Sequence, residues 1–148
     1  LDSPKKIYEF PASKFVATFV GSSNLIEGTL RIRDGIMQVE VEALGTFGVY
    51  YPVEKTWMIS GRKILMSVRP EKLLITKSAR EGFSNHLTGK VVDIIYYGRS
   101  TEYRVQVANG QLLMVFEQNE EHFPQETIDY DDVVNVYFQK ENVVLLEY

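Results

Sequence analysis

Two histidines, one acidic run and a small set of tyrosines and arginines are the residues of this chain whose types could do chemistry. His86 lies beside an expected strand start and His122 lies inside the acidic run. A general base needs a partner within hydrogen-bond reach, and neither histidine has a serine or aspartate placed in a hydrolase context. Both therefore read as solvent-exposed side chains. The chain has no cysteine, which removes a thiolate nucleophile, a disulfide framework and a thiolate metal cluster. No stretch matches Gly-x-x-x-x-Gly-Lys-Ser/Thr, so nucleotide binding through a phosphate loop is not expected. On these grounds the chain carries no catalytic set, no cofactor site and no metal site, and it is not expected to be an enzyme.

The acidic run is the sharpest charge feature. From Glu117 to Asp132 there are seven carboxylates and no Lys or Arg, on a chain whose net charge is -4, so the remainder is slightly basic. Asp129-Tyr130-Asp131-Asp132 lacks the glycine turn and spaced ligands of a calcium loop. Glu126, Asp129, Asp131 and Asp132 could attract an organic polycation; the plainer role is a solvated loop that keeps strand edges from pairing with other chains. Tyr96, Tyr97, Arg99, Tyr103 and Arg104 interleave aromatic and basic groups as a single-stranded nucleic-acid surface does. A sequence pI near 5.2 argues against that partner, because phosphate neutralisation supplies most of such affinity.

The elements that must position these residues are mostly strands. Nine Tyr, eight Phe and many Val and Ile suit a pleated, half-buried surface. Ser3-Pro4 starts one short helix, and Pro11 opens a second over Ala12 to Val20 whose apolar face is Phe15, Val16, Phe19 and Val20. Period two then takes over: Leu25 to Arg33, a turn at Asp34-Gly35, and Met37, Val39, Val41 and Ala43 alternating with Gln38, Glu40 and Glu42. Thr46 to Pro52 is ambiguous. Ile64 to Val68 and Leu73 to Ile75 flank Arg69-Pro70-Glu71, where Pro70 cannot donate to a ladder and marks a strand end.

The pattern then returns. Asn85 to Val91 lies over Asn24 to Leu30 at an offset of 61 residues, and Phe138 to Leu145 lies over Val68 to Ile75 at an offset of 70. The second copy is thus nine residues longer, and the acidic segment with Pro124 is the expected place for the surplus. Asn109-Gly110 signals a hairpin inside the second copy. The expected fold is all-β, mainly antiparallel, with two OB-like barrel units in tandem, or one composite barrel sharing strands, after one or two short N-terminal helices. The expected division is a helical tail and linker over 1–22, a first unit over 23–77 and a second over 84–148.

Taken in order, these motifs resemble a known family. Ser3-Pro4 through Ile7-Tyr8, Pro11, Phe15-Val16-Ala17 and Gly21 to Asn24 resembles the junction in ABC-importer ATPases between the nucleotide-binding domain and the C-terminal regulatory domain. Val68-Arg69-Pro70-Glu71 looks like the Arg-Pro-Glu motif that follows, and Gly89 through Tyr96-Tyr97-Gly98, Tyr103 and Val105 resembles the family's transport-associated OB, or TOBE, segment. The Gly21 to Gly28 form is most similar to the ATPases of polyamine importers, with ferric-iron and sugar importers as close relatives. One departure is Asp2, where the family often has Gly.

The resemblance implies a non-catalytic regulatory and dimerisation domain at the cytoplasmic face of the membrane. It would act as a homodimer, joined to an upstream nucleotide-binding domain that holds ATP and magnesium and, through that domain, to the membrane permease subunits, with no nucleic acid as partner. By motif position, Arg69, Pro70, Glu71, Tyr97, Gly98 and Arg99 become candidate regulatory or dimer contacts, and Phe15, Val16, Phe19 and Val20 a face packed between domains. The alternative is a free-standing OB-like module for single-stranded nucleic acid.

Overall fold

A computed structural model describes residues 23–51, 54–118 and 127–148. The two expected N-terminal helices, the Phe15, Val16, Phe19, Val20 face, Glu126 and His122 lie outside the described residues. Among the described residues, ten strands form two five-stranded antiparallel sheets. In chain order they are β1 (Asn24–Arg33), β2 (Ile36–Val41), β3 (Gly45–Val49), β4 (Lys63–Val68), β5 (Leu74–Thr76), β6 (Asn85–Tyr96), β7 (Ser100–Val107), β8 (Leu112–Gln118), β9 (Val133–Phe138) and β10 (Val144–Glu147). Two 3-10 turns, Pro70–Lys72 and Lys140–Asn142, sit between β4 and β5 and between β9 and β10. The fold is all-β and OB-like.

The duplication is visible atom by atom. Leu30 N–H donates to Arg62 O and Gly61 N–H to Leu30 O; Val91 N–H donates to Asp132 O and Asp131 N–H to Val91 O. Both 3-10 turns close alike, Lys72 N–H on Arg69 O and Asn142 N–H on Gln139 O, each at 3.0 Å. Asn24 pairs with Val68 where Asn85 pairs with Phe138. Pro70 occupies the first position of its turn, buried, where a missing N–H costs nothing.

Two expectations need correction. The surplus of the second copy is not confined to the acidic segment. Gly28 and Gly89 sit at matching points, facing Val39 and Glu40 in one copy and Val105 and Gln106 in the other, so the offset has already grown from 61 to 66 by β7. The β6–β7 hairpin, which carries a bulge between Val91 and Asp93, therefore takes five of the extra residues, and only four fall between β8 and β9. Ala43 does not continue the alternation of β2: it turns out of the strand with φ 69°. The ambiguous stretch resolves into β3, with Phe47 and Val49 pointing inward.

The two sheets exchange their last strands. The first sheet runs β10-β4-β1-β2-β3 and the second β5-β9-β6-β7-β8, so β5 of the first copy completes the second sheet and β10 of the second completes the first. A core shared by both sheets follows, with Leu30, Val39, Phe47 and Ile64 of the first sheet and Val91, Val105, Leu113 and Val136 of the second in the same buried cluster, while Leu25, Leu65 and Leu146 form a small separate one. Phe47 and Phe138 meet across it with ring centroids 5.6 Å apart.

Candidate functional site

An open edge strand invites pairing with another chain, so how each sheet ends decides what surface the molecule offers. Two of the four edges are bridged at one residue each by asparagine side chains at equivalent points of the repeat. Asn24 Nδ2 donates to Met114 O at 2.8 Å while Met114 N–H donates to Asn24 Oδ1 at 2.7 Å, which bridges the middle of β8. Asn85 Nδ2 donates to Gly48 O at 3.0 Å while Gly48 N–H donates to Asn85 Oδ1 at 2.7 Å, which bridges β3. Each amide stands in for one residue of a neighbouring strand and belongs to the other copy. Both asparagines are visible in the sequence as the first matched residues of the repeat, but their amides' targets are not.

The candidate contact residues fall at two places. Arg69 caps the first 3-10 turn in extended conformation, Pro70 is buried beneath it and Glu71 is exposed. Tyr97, Gly98 and Arg99 form the turn between β6 and β7, with Gly98 at φ 81° and Tyr97 N–H donating to Ser100 O at 2.8 Å. The Tyr97 ring lies 6.0 Å from Phe116 of β8, and Tyr96, Tyr97 and Phe116 are all exposed. Of the other members of the aromatic-basic set, Tyr103 is buried and Arg104 Nε is held by Glu102 at 3.1 Å. Burial, with the Glu117 carboxylate next to it, pushes the Tyr103 phenol above its ordinary value.

The acidic residues are partly engaged within the domain. Asp131 faces Lys90 Nζ at 3.5 Å, and Asp132 faces Lys77 Nζ at 3.6 Å. Asp132 also accepts a hydrogen bond from the Asp129 N–H at 2.8 Å, and Asp131 takes a positive φ of 69°. A polycation arriving here has to compete with two lysines. His86 is exposed, its Nε2 2.8 Å from Asn135 Oδ1 and its ring stacked on Tyr137 at 4.5 Å.

Residues 66–146, from β4 through β10, match the family model of the TOBE domain. The chain belongs to the TOBE domain family. Among curated relatives, this TOBE chain is 29% identical over 148 residues to the spermidine/putrescine import ATP-binding protein PotA of Thermobifida fusca, covering 99% of this chain and 37% of that protein. It is 32% identical over 115 residues to PotA of Pseudomonas aeruginosa, covering 76% of this chain and 31% of that protein. With PotA of Thermotoga maritima it shares 29% identity over 150 residues, covering 98% and 40%. The chain thus spans about a third to two fifths of the length of these relatives. Among solved structures, the cytoplasmic molybdate-binding protein ModG superposes with a TM-score of 0.73 at 16% identity, over 86% of this chain and 98% of that one, a likeness of fold alone. No helix among the described residues is long and apolar enough to cross a membrane.

Proposed function

We propose that this chain is the C-terminal regulatory and dimerisation domain of the ATP-binding subunit of an ABC importer for polyamines. The observation that carries the reading is the alignment of nearly the whole chain with one contiguous part of the spermidine/putrescine import ATP-binding proteins, together with the TOBE match. The domain itself does no chemistry; ATP and magnesium belong to the upstream nucleotide-binding domain. Its partners are that domain, a second copy and, indirectly, the permease subunits, which places it at the cytoplasmic face of the membrane. Arg69, Pro70, Glu71 and the Tyr97-Gly98-Arg99 turn are proposed dimer or regulatory contacts.

Substrate feedback is the finer part of the proposal. Cytosolic polyamine would act at Asp129, Asp131 and Asp132 by displacing Lys77 and Lys90. Titrating spermidine into the domain should give saturable heat that disappears when the three aspartates are changed to Asn, and the same changes in the full importer should relieve feedback inhibition of uptake. No heat, with feedback unchanged in the full protein, rejects the sensor role. Sedimentation across a concentration series tests the other half: a monomer at every concentration rejects dimerisation by this domain.

A further inference from the structure

Among the described residues, two of the four sheet edges are bridged at one residue each, and β10 is not bridged at all. Asn85 bridges Gly48 of β3 and Asn24 bridges Met114 of β8. β5 has three residues, and β8 curls back against it and the first 3-10 turn. β10 has four residues paired with β4 on one side only. In an antiparallel pair, alternate residues turn their N–H and C=O away from the partner strand. Among the described residues, no group bonds those outward-facing backbone atoms of β10.

A cleft of about 470 Å³ runs along this edge, with β10 on one side and Tyr51, Lys55 and Trp57 on the other. The described residues of the wall opposite β10 are tied to the core through Met58. Met58 N–H donates to Lys55 O at 3.0 Å, and Lys55 N–H reaches Met58 Sδ at 3.4 Å, with Met58 itself buried in the core. Arg62 ties wall to edge, its Nη2 3.1 Å from Glu147 Oε2 and its Nη1 on Trp57 O at 3.5 Å. The Lys55 ammonium, exposed at the rim, makes no ion pair among the described residues. Of the two charged lining residues, Glu147 is paired with Arg62 and Lys55 is not; exposed Glu54 stands next to Lys55 in the chain.

We propose that this cleft takes an extended acidic peptide segment of a partner protein, added to β10 as a further antiparallel or parallel strand. Backbone hydrogen bonds to β10 supply a sequence-tolerant ladder, Tyr51 and Trp57 cover the strand's apolar side chains, and Lys55 selects a carboxylate. The cleft is distinct from the acidic cluster, and the unpaired lysine makes it a poor site for a polyamine. This inference does not depend on the importer reading.

Trp57 is the chain's single tryptophan, so its emission reports the cleft directly. The probes are an acetylated and amidated Glu-Val-Thr-Val-Glu pentapeptide, its Lys-Val-Thr-Val-Lys counterpart, and two acidic versions N-methylated on one or the other set of alternate amides. The acidic peptide should shift Trp57 emission to the blue with a saturable curve, and the basic one should bind several-fold more weakly. Because a strand offers only every second amide to its neighbour, one methylated peptide should lose at least tenfold in affinity and the other should bind as before. Lys55→Glu should reverse the charge preference by about three- to fivefold, the scale of an exposed ion pair. No saturable shift, equal binding of both methylated peptides, or equal binding of the acidic and basic peptides overturns the proposal. A concentration-dependent shift without peptide, accompanied by dimerisation, gives the cleft to a second copy and overturns it equally.

Discussion

Asn24 and Asn85 do with one side chain what a strand does with a residue: each accepts and donates one bond to the same backbone position. Asn24→Ala leaves the Met114 N–H and C=O without partners at a part-buried site, which costs about 1–3 kcal/mol. Asn85→Ala should cost a similar amount at Gly48, and because the sites lie on different edges the double variant should lose about the sum, as read in urea melts. Only the identity of these residues could be read from the sequence, where they mark the repeat. Their role depends on β3 and β8 lying beside the other copy's first strand, which no local pattern encodes. Tyr103 makes a second prediction at this scale. Its folded pKa is raised by burial and by Glu117, so the protein keeps the associated stability below the ordinary phenol value near 10 and loses it as the pH climbs towards the higher folded value. Tyr103→Phe should flatten the fall in stability above about pH 10. If the variant loses stability there as steeply as the parent, Tyr103 is not the group responsible.

Strand positions were largely legible because alternation and turn chemistry agree. Asp34 and Gly35 both take positive φ, as the tight turn between β1 and β2 requires, while Gly110 alone does so in the longer turn between β7 and β8. Register within the second copy was not legible. Gln38 and Glu40 give no more guide to matching than Arg104 and Gln106, so the intermediate offset of 66 is invisible without the glycine contacts. Those contacts are also where an element can be broken. A Cβ on Gly28 would stand 2.5 Å from Val39 Cγ1 and 2.9 Å from Glu40 O; on Gly89 it would stand 2.5 Å from Val105 Cγ1 and 2.7 Å from Gln106 O. The carbonyls belong to paired strands and cannot step aside, so Gly28→Ala and Gly89→Ala should each destabilise by about 1–3 kcal/mol. Adding Val39→Ala to Gly28→Ala removes the side-chain clash but not the carbonyl one, and should leave the stability measured by thermal melting below that of the parent.

At the scale of the molecule, the sequence shows two copies but not whether they stand apart. Val144-Leu145-Leu146 and Leu74-Ile75 are short apolar strands that either sheet could accept, and nothing in their side chains names the partner. The structure pairs Leu145 with Met66 of the first copy and Ile75 with Val136 of the second. Each copy alone would therefore lack one strand of its own sheet, and the core side chains facing the other sheet would be bare. Leu145, Ile75, Phe47 and Phe138 are all nearly fully buried in the whole chain, and a fragment exposing them would forfeit about 1.5–3 kcal/mol for each. That loss is a large fraction of the stability of a domain this size. Fragments covering residues 23–82 and 83–148, made separately, should each lack a cooperative unfolding transition. Mixed in equal amounts they should recover one, along with the strand content of the parent by circular dichroism. A cooperative transition in either fragment alone would mean that its own last strand can fold back onto its own sheet, and the exchange would then be a choice of the intact chain instead of a requirement of the fold.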